Sequence, residues 1–431
     1  MPYVRGILGI AALVFIAFLF SRNRQAINWR LVAVGLAIQL IAGVLILKVP
    51  FVKAIFNAIS EAFVKFLSFS QQGAEFLFGG LVDTSSFGYI FAFQVLPTII
   101  FFSTVTAGLY YLGVLQKVVY GIAWVMARTM RLSGAESLSA AGNIFLGQTE
   151  APLLVRPYIA GMTYSEIMCL MTGGMATIAG GVLGGYVAFL GGSDPAEQTR
   201  FAAYLLSASI MNAPAAIVIA KILVPETQPD AIRQDLNISG ENLGANVIDA
   251  LAKGASEGLK LALNVGGMLL AFIAVIAAIN YFLTGVIGEW TGLNQFVSRT
   301  TDGAFKGFSL EYLLGQLFRV FAFIMGVDWS QTLQVGSLLG QKTVINEFVA
   351  YLDLSEMKAS GSLSGKGLII ATYALCGFSN FSSIAIQIGG IGSLAPSQQS
   401  NLSKLGLWAL MAATFACMMT ATVAGMLVTD D

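Results

Sequence analysis

The chain has 431 residues, of which 56% are hydrophobic and only 11% are charged, and its formal net charge is zero. A globular domain carries about a quarter charged residues, so this composition predicts a membrane protein and not a soluble enzyme. The complete lack of histidine excludes Ser-His-Asp and Cys-His catalysis, histidine-ligated zinc and histidine proton relays. No basic run is present that could follow a phosphate backbone, so nucleic acid is not an expected partner.

Apolar, charge-free stretches recur along the whole chain, and a helix of about 20 such residues crosses a hydrocarbon core of about 30 Å. The stretches are 6–20, 31–47, 89–116, 167–193, 201–220, 261–288, 367–403 and 405–429. We interpret the first, shorter stretch as a span and not as a signal peptide, because a basic flank follows it without a small-residue cleavage site. The sequence therefore predicts an all-α polytopic membrane protein with eight transmembrane helices.

The segments between these stretches indicate an orientation. Segment 22–30 contains three arginines, and the positive-inside rule places it in the cytoplasm. Segment 51–78 carries charges within an apolar pattern of helical spacing, which predicts an amphipathic helix along the membrane interface. The polar stretch 224–257 is predicted to be a cytoplasmic connection that ends in an amphipathic helix from Ala245.

Two apolar segments, 138–158 and 329–352, are interrupted by glycine, amide and charged residues, so neither fits an unbroken span. Both contain Leu-Gly-Gln followed by a glutamate, which is Glu150 in the first and Glu347 in the second. Each precedes a glycine-rich span, and this pattern is typical of internal repeats built from discontinuous helices. Because three full spans lie between them, we expect two opposed re-entrant helical hairpins, which form an inverted repeat with broken helices.

This organisation divides the chain into three predicted parts. Residues 1–130 contain the N-terminal spans and the interfacial helix, on the scaffold side. Residues 131–245 contain the first re-entrant hairpin repeat with the fourth and fifth spans. Residues 246–431 contain the sixth span and the second re-entrant hairpin repeat with the seventh and eighth spans.

A carboxylate at the bilayer midplane costs at least about 2.5 kcal/mol, so Glu150 and Glu347 are candidate functional residues. The alternative is that one or both lie in water at the rim of a hairpin. Phe378 and Phe381 are candidates to stack on a flat ring or to fill lipid-facing space. Neutral polar side chains accompany them, namely Gln148, Thr149, Asn346, Asn380, Ser382 and Ser383. They suit a polar, mostly uncharged ligand, and the alternative role of such residues is contact between membrane helices.

Two other classes of function fit a membrane protein of this composition. A passive channel needs a continuous polar lining, whereas the polar residues here collect in the two broken segments. A membrane-embedded transferase needs a catalytic constellation, and the sequence offers paired carboxylates without a phosphate-binding or metal motif. A secondary transporter is therefore the predicted class.

Three motifs carry a resemblance to a known family. Segment 340–351 reads GQKTVINEFVAY and fits G-x-K-x3-N-E-F-V-A-Y, the signature of the concentrative nucleoside transporter family, at every fixed position. Segments 147–150 (GQTE) and 376–383 (CGFSNFSS) resemble its two other hallmark segments. The resemblance covers essentially the whole chain. It implies a multi-pass protein of the cell inner membrane with eight spans, two opposed hairpins and a homotrimeric assembly surrounded by lipid.

The resemblance also implies roles for individual residues. Those expected to face the nucleobase, directly or through water, are Gln148, Thr149 and Glu150, while Phe378 packs against its ring. Those expected to hold the ribose hydroxyls are Glu347, Asn380 and Ser383. An ionised carboxylate suits this task, because charge-assisted hydrogen bonds are roughly twice as strong as neutral ones. Purine and pyrimidine nucleosides are not distinguished, since an amide and a carboxylate satisfy several ring edges.

The family's sodium site corresponds to the Asn143 side chain, the Leu146 carbonyl, the Thr177 hydroxyl and the Ile178 carbonyl. Oxygen ligands at broken helices suit a hard monovalent cation. In the family, sodium-driven members keep an asparagine at this position, and proton-driven members depart from it. The resemblance therefore predicts nucleoside import by symport with sodium and no other cofactor, and the alternative is a proton-coupled symporter that uses Glu150 or Glu347.

Overall fold

The computed structural model describes residues 2–88, 90–238 and 244–428, and this part of the chain is helical without strands. The first position of the charge-free stretch 89–116 and the last position of the stretch 405–429 lie outside the described residues. The all-α prediction is confirmed for the described part of the chain.

The N-terminal part contains two long apolar helices, one long amphipathic helix and shorter helices. Its helices are α1 (Pro2–Leu19), α2 (Trp29–Lys48), α3 (Pro50–Phe78), α4 (Thr84–Phe87), α5 (Phe91–Gln94), α6 (Leu96–Tyr111) and α7 (Val114–Met130). The amphipathic helix predicted over 51–78 is α3. It begins at Pro50, whose fixed φ suits a first turn, and ends before Gly79, whose φ of 57° favours glycine.

The first hairpin segment and the two spans that follow it form the next unit. Its helices are α8 (Gly134–Gly142), α9 (Ala151–Leu154), α10 (Arg156–Ile159), α11 (Tyr164–Ala176), α12 (Gly180–Gly191) and α13 (Pro195–Leu223). Capping boxes fix the first turns of α8 and α11, because Ser133 pairs with Glu136 and Thr163 pairs with Glu166. The predicted glycine-rich span is broken at residues 177–179, between α11 and α12.

A long helix leads to the second hairpin segment. The helices here are α14 (Val247–Asn280), α15 (Glu289–Thr291), α16 (Leu293–Thr300) and α17 (Leu310–Ile324), and a π-helical stretch, Tyr281–Gly288, joins α14 to α15. The amphipathic helix predicted from Ala245 and the sixth span form one continuous helix, α14. Gly254 and Gly258 let α14 approach α6 closely, since a Cβ on Gly254 would lie 2.6 Å from the Cβ of Ala107.

The second unit repeats the plan of the first. Its helices are α18 (Thr332–Val344), α19 (Glu347–Ala359), α20 (Gly365–Leu375), α21 (Phe381–Leu394) and α22 (Gln399–Leu427). The stretch 367–403 is therefore not one continuous helix, because it contains a break at 376–380 and a turn into α22.

Burial separates a central group of helices from a peripheral one. Among the described residues, six helical segments are long and apolar enough to cross a membrane. Three of them are almost completely buried by the rest of the chain. The buried share of the residues in their most apolar part is 94% for Tyr164–Gly191, 89% for Pro195–Leu223 and 89% for Pro396–Leu427. The corresponding shares for Trp29–Lys48, Phe91–Tyr111 and Val247–Thr291 are only 33%, 22% and 17%. The break at 177–179 lies within one of the buried segments, and four of the five residues at 376–380 are buried as well, so both breaks lie in the packed centre of the bundle.

Candidate functional site

The two broken helices are joined at their breaks. The backbone N–H of Phe378 donates to the carbonyl of Thr177 over 3.3 Å, so the interrupted stretches contact each other directly. Asn212, fully buried on α13, donates from Nδ2 to the carbonyls of Ala176 and Cys376, each over 2.7 Å. These carbonyls lie at the ends of α11 and α20, where a helix leaves its last carbonyls without partners. The Asn212 amide therefore supplies a hydrogen-bond donor to one carbonyl at each of the two breaks.

A side chain from the second unit binds the same two carbonyls. Cys417 on α22 lies 3.5 Å from the Ala176 carbonyl and 3.4 Å from the Cys376 carbonyl through its Sγ atom. Gly377 leaves room for this arrangement, because a Cβ there would lie 2.7 Å from the Cys417 sulfur and 2.8 Å from the Ala176 oxygen. Helices α13 and α22 thus each supply one side chain to the same crossing.

Glu347 lies at the start of α19 with its carboxylate inside the bundle. Its neighbour Asn346 caps the helix by accepting from the Val349 N–H over 3.0 Å. Glu347 is 3% exposed. Its Oε1 accepts from the Tyr186 hydroxyl over 3.1 Å, and its Oε2 accepts from Asn380 Nδ2 over 2.8 Å. The carboxylate therefore has a fixed orientation before any ligand binds.

A continuous chain of hydrogen bonds leads from this carboxylate to the first hairpin segment. Asn380 Oδ1 accepts from the backbone N–H of Ser383 over 2.8 Å, which also caps α21. The Ser383 hydroxyl accepts from Gln148 Nε2 over 3.1 Å. Gln148, Ser383, Asn380 and Glu347, four of the seven residues predicted to bind the ligand, are thus linked through the second helix break.

The other three predicted residues border this chain without joining it. Phe378 is half-buried, and both of its described hydrogen bonds, with Thr177 and Asn380, are made by backbone atoms. Thr149 and Glu150 are exposed on the first hairpin segment. Glu150 accepts from the Gly147 backbone N–H over 3.1 Å, so its carboxylate folds back on its own turn. The two glutamates predicted as a pair therefore have different surroundings.

The residues predicted as sodium ligands lie together, where the tip of the first hairpin segment meets the first break. The Gly180 N–H donates to the Phe145 carbonyl over 3.3 Å and joins the two elements. The Thr177 hydroxyl donates to the Gly173 carbonyl over 2.9 Å, which leaves its lone pairs available. All four predicted ligands, namely Asn143, Leu146, Thr177 and Ile178, are buried.

Asn143 supplies the observation that favours a cation at this position. Its Nδ2 donates to the Ser139 hydroxyl over 3.4 Å. Its Oδ1 is buried and has no hydrogen-bond partner among the described residues. Leaving a buried acceptor unpaired costs about 1–3 kcal/mol, which a bound cation removes. The donor set of neutral oxygens fits sodium.

Several residues of the site were not predicted as ligands or contacts. Tyr186 follows two glycines in α12, Asn212 is an amide in an apolar span, and Gln387 lies one turn after Ser383 on α21. A polar side chain within each apolar helix was the available signal. Lys342, a fixed position of the motif, is 1% exposed, and its ammonium donates to the Ala374 carbonyl over 2.8 Å. It thereby caps the end of α20.

Broken helices that meet in the centre of an apolar bundle, with a polar chain between their ends, define a secondary transporter with discontinuous helices. Family models match successive parts of the chain. The N-terminal model of Na+ dependent nucleoside transporters matches residues 8–81, a model of nucleoside recognition matches 92–193, and the C-terminal model of Na+ dependent nucleoside transporters matches 204–425.

Individual relatives agree with these matches over nearly the whole chain. YutK, an uncharacterised transporter of Bacillus subtilis, is 43% identical over 99% of this chain and 100% of its own length. Sodium/nucleoside cotransporter 1 of Rattus norvegicus is 40% identical over 97% of this chain and 63% of its own length. The structure of CNTnw in an inward-facing, substrate-bound state is 40% identical, with a TM-score of 0.88 over 98% of both chains.

The chain therefore belongs to the concentrative, Na+ dependent nucleoside transporter family. It is a multi-pass membrane transporter, and the resemblance indicated by the three motifs is confirmed.

Proposed function

We propose that this protein imports nucleosides by symport with sodium. The observation that carries the proposal is the hydrogen-bonded chain from Gln148 to Glu347, which joins the two hairpin segments through the second helix break. It presents a carboxylate, amides and a hydroxyl in one connected set. A nucleoside offers matching groups, since its ribose has hydroxyl donors and its base has a mixed donor and acceptor edge.

Each predicted ligand has a role in this proposal. Glu347 accepts hydrogen bonds from the ribose hydroxyls, and the bonds from Tyr186 and Asn380 hold its carboxylate in place. Asn380 and Ser383 complete the ribose site. The base is bound by the remaining residues, with Phe378 against its ring and Gln148, Thr149 and Glu150 at its edge.

Sodium binds in the same part of the molecule. Asn143 and Thr177 supply side-chain oxygens, and Leu146 and Ile178 supply carbonyls. Because the tip of the first hairpin segment carries both the sodium ligand Asn143 and the base ligand Gln148, binding of one solute favours binding of the other. This linkage is reciprocal, so sodium lowers the KM for the nucleoside.

The proposed topology has eight spans. Within residues 2–88, 90–238 and 244–428, six helical segments meet the length and hydropathy of a span, and we add α1 and the broken pair α20 and α21. Helices α8–α10 and α18–α19 form the two opposed re-entrant hairpins of the repeats within 131–245 and 246–431. Residues 1–130 form the scaffold, and the protein assembles as a homotrimer in the inner membrane.

Uptake into proteoliposomes tests the function and the driving ion. An inward sodium gradient at equal pH is expected to concentrate a radiolabelled nucleoside, which is recovered chemically unchanged. A pH gradient in sodium-free buffer is expected to give no concentrative uptake. Full uptake under the pH gradient alone would establish the proton-coupled alternative.

Thiol labelling tests the opposed hairpins. Arg128 and Asp302 are exposed; Arg128 lies shortly before the first hairpin segment, and Asp302 precedes the second one with α17 between them. Arg128→Cys is expected to react with an impermeant maleimide from the cytoplasm, and Asp302→Cys from the outside. The native chain provides the background, because its three cysteines are buried. Reaction of both from one side would overturn the inverted repeat.

A further inference from the structure

Gln387 is a fully buried amide on α21 that contacts the base-binding part of the proposed site. It is 0% exposed. Its Nε2 donates to the Gln148 side-chain oxygen over 3.2 Å and to the Met171 carbonyl on α11 over 3.1 Å. Its own Oε1 has no hydrogen-bond partner among the described residues. Only the donor end of this amide is therefore used.

The Met171 carbonyl fixes which end of the Gln387 amide faces its neighbours. A backbone carbonyl only accepts, so the atom 3.1 Å from it must be the NH2 group and not the oxygen. The same NH2 group contacts Gln148, so the atom of Gln148 that faces it must be the oxygen. The amide nitrogen and oxygen of a glutamine have similar shapes, so the orientation of both side chains is assigned from these hydrogen-bond partners.

The Gln148 amide is consequently held with its NH2 group toward the ligand side. One N–H donates to the Ser383 hydroxyl over 3.1 Å, and the second is left for a ligand. The Ser383 hydroxyl accepts this bond, so its own proton remains for an acceptor on the ligand. The hydrogen bonds run in one direction, from Gln387 through Gln148 to Ser383.

Space for Gln387 is reserved by a glycine. A Cβ on Gly174 would lie 2.5 Å from Gln387 Nε2 and 3.1 Å from the Gln148 Cβ. Helix α11, the first hairpin segment and α21 therefore meet around this amide.

We propose that Gln387 is a specificity-determining positioning residue that makes Gln148 a hydrogen-bond donor to the nucleobase. The proposal rests on the proposed function of the site. With Gln387 in place, Gln148 binds a base edge that presents a hydrogen-bond acceptor. A base edge that presents a donor is disfavoured, because that donor would face the Gln148 N–H. Without Gln387 the Gln148 amide is free to rotate and accepts either edge.

Uridine and cytidine test this proposal, because donor and acceptor are exchanged between them at ring positions 3 and 4. The KM values for both are measured in proteoliposomes for the native protein and Gln387→Met, which keeps the apolar length but removes the amide. We expect the native KM values to differ. In the Gln387→Met variant, the ratio of the two KM values is expected to change at least about threefold, so that it comes closer to 1. Vmax and the half-saturating sodium concentration are expected to stay within about twofold of the native values.

The matched control is Gln39→Met, because Gln39 is also fully buried and donates one bond, to the Thr420 hydroxyl over 3.0 Å. It is expected to leave the KM ratio unchanged. A second variant is Gln387→Asn, whose side chain is too short to reach both acceptors. It is expected to shift the KM ratio in the same way as Gln387→Met, and it replaces that variant if Gln387→Met does not fold.

Two outcomes would overturn the inference. Equal native KM values for the two nucleosides would show that Gln148 does not select a base edge. An unchanged KM ratio in both Gln387 variants would show that Gln387 does not orient Gln148, and if both KM values rise together the role of Gln387 is purely structural. Absence of any nucleoside uptake by the native protein would contradict the proposed function itself.

Discussion

The two hairpin units share a backbone plan but differ in how their polar groups are paired. In the second unit, Glu347 accepts two hydrogen bonds from Tyr186 and Asn380, and Lys342 donates to a helix end. In the first unit, Glu150 bonds only its own turn among the described contacts, and the Asn143 oxygen is unpaired. Of the predicted ligand residues, Glu347 in the second unit is therefore preorganised, whereas Asn143 and Glu150 in the first keep acceptors available for ligands.

Because of this difference, the two units, which share a backbone plan, suit the binding of different parts of the ligands. A prearranged carboxylate recognises a constant feature of its ligands at low reorganisation cost, which suits the ribose. Unpaired oxygens and an exposed carboxylate gain partners only when solutes arrive, which suits the cation and the variable base. Substitutions in the second unit should therefore affect transport more than those in the first.

The largest effect is expected for Glu347→Gln. The amide keeps the shape of the side chain but loses the charge, and the proposed bonds from Glu347 to the ribose hydroxyls are charge-assisted. We expect Vmax/KM for nucleoside uptake to fall at least about 100-fold, or about 3 kcal/mol. Glu75→Gln, at an exposed position on α3, is the control and should transport normally. Near-native uptake by Glu347→Gln would remove Glu347 from the site.

A smaller, selective effect is expected for Asn143→Ala. The variant removes one proposed oxygen ligand of the cation, so the sodium concentration for half-maximal uptake should rise about tenfold, or about 1.4 kcal/mol. At saturating sodium the KM ratio of uridine to cytidine should stay within about twofold of native, because the base ligands are intact. Asn57→Ala, exposed on α3, is the control. An unaltered sodium dependence would exclude Asn143 as a ligand.

Glu150→Gln is expected to be milder than Glu347→Gln. The new amide oxygen can still accept from the Gly147 N–H, and a water-mediated contact to the base can be partly rebuilt. We expect Vmax/KM to change about threefold to tenfold, by an amount that differs between uridine and cytidine. A loss as large as that of Glu347→Gln would show that the two carboxylates are equivalent and would break the comparison between the units.

The smallest effect is expected at the base of the first hairpin segment. There the Arg233 carbonyl accepts from the Gly134 N–H over 2.9 Å, and Tyr158 donates its hydroxyl to Asp235 Oδ2 over 2.8 Å. This hydroxyl lowers the pKa of the Asp235 carboxyl. Asp235→Asn should increase tryptic cleavage after the exposed Arg233 a few-fold, with uptake unchanged.

The pH dependence of this contact has a defined sign. Because the folded pKa of Asp235 is lowered, the stabilisation is present above the unfolded pKa of about 3.9 and is lost as the pH falls through the folded value. Cleavage of the native protein by an acid-stable protease should therefore rise only below about pH 4. Asp230→Asn, in the same connection, is the control. Equal cleavage of Asp235→Asn and the native chain at neutral pH would exclude this role.

The sequence by itself determined the class of protein and the two segments that do not form unbroken spans. Hydropathy and length depend on neighbouring residues only, so the apolar helices and the amphipathic α3 could be predicted. Glycine and polar interruptions act locally, so the two hairpin segments, 138–158 and 329–352, could also be predicted. The breaks at 177–179 and 376–380 lie within stretches that the sequence predicted as spans, and the structure revealed them. The motifs indicated the family and eleven predicted site residues, which lie on the two hairpin segments, at the two breaks or at the start of α21.

Only the tertiary structure decided which of these residues meet and which others join them. Tyr186 and Glu347 are 161 positions apart, and Gln148 and Ser383 are 235 apart. Asn212 and Gln387 gave no local signal beyond a polar side chain in an apolar helix. Their roles depend on the packing of α13 and α21 against elements distant in the chain. Hydrogen-bond partners are set by that packing, because a polar group in a dry interior must bond whatever acceptor or donor the fold places beside it.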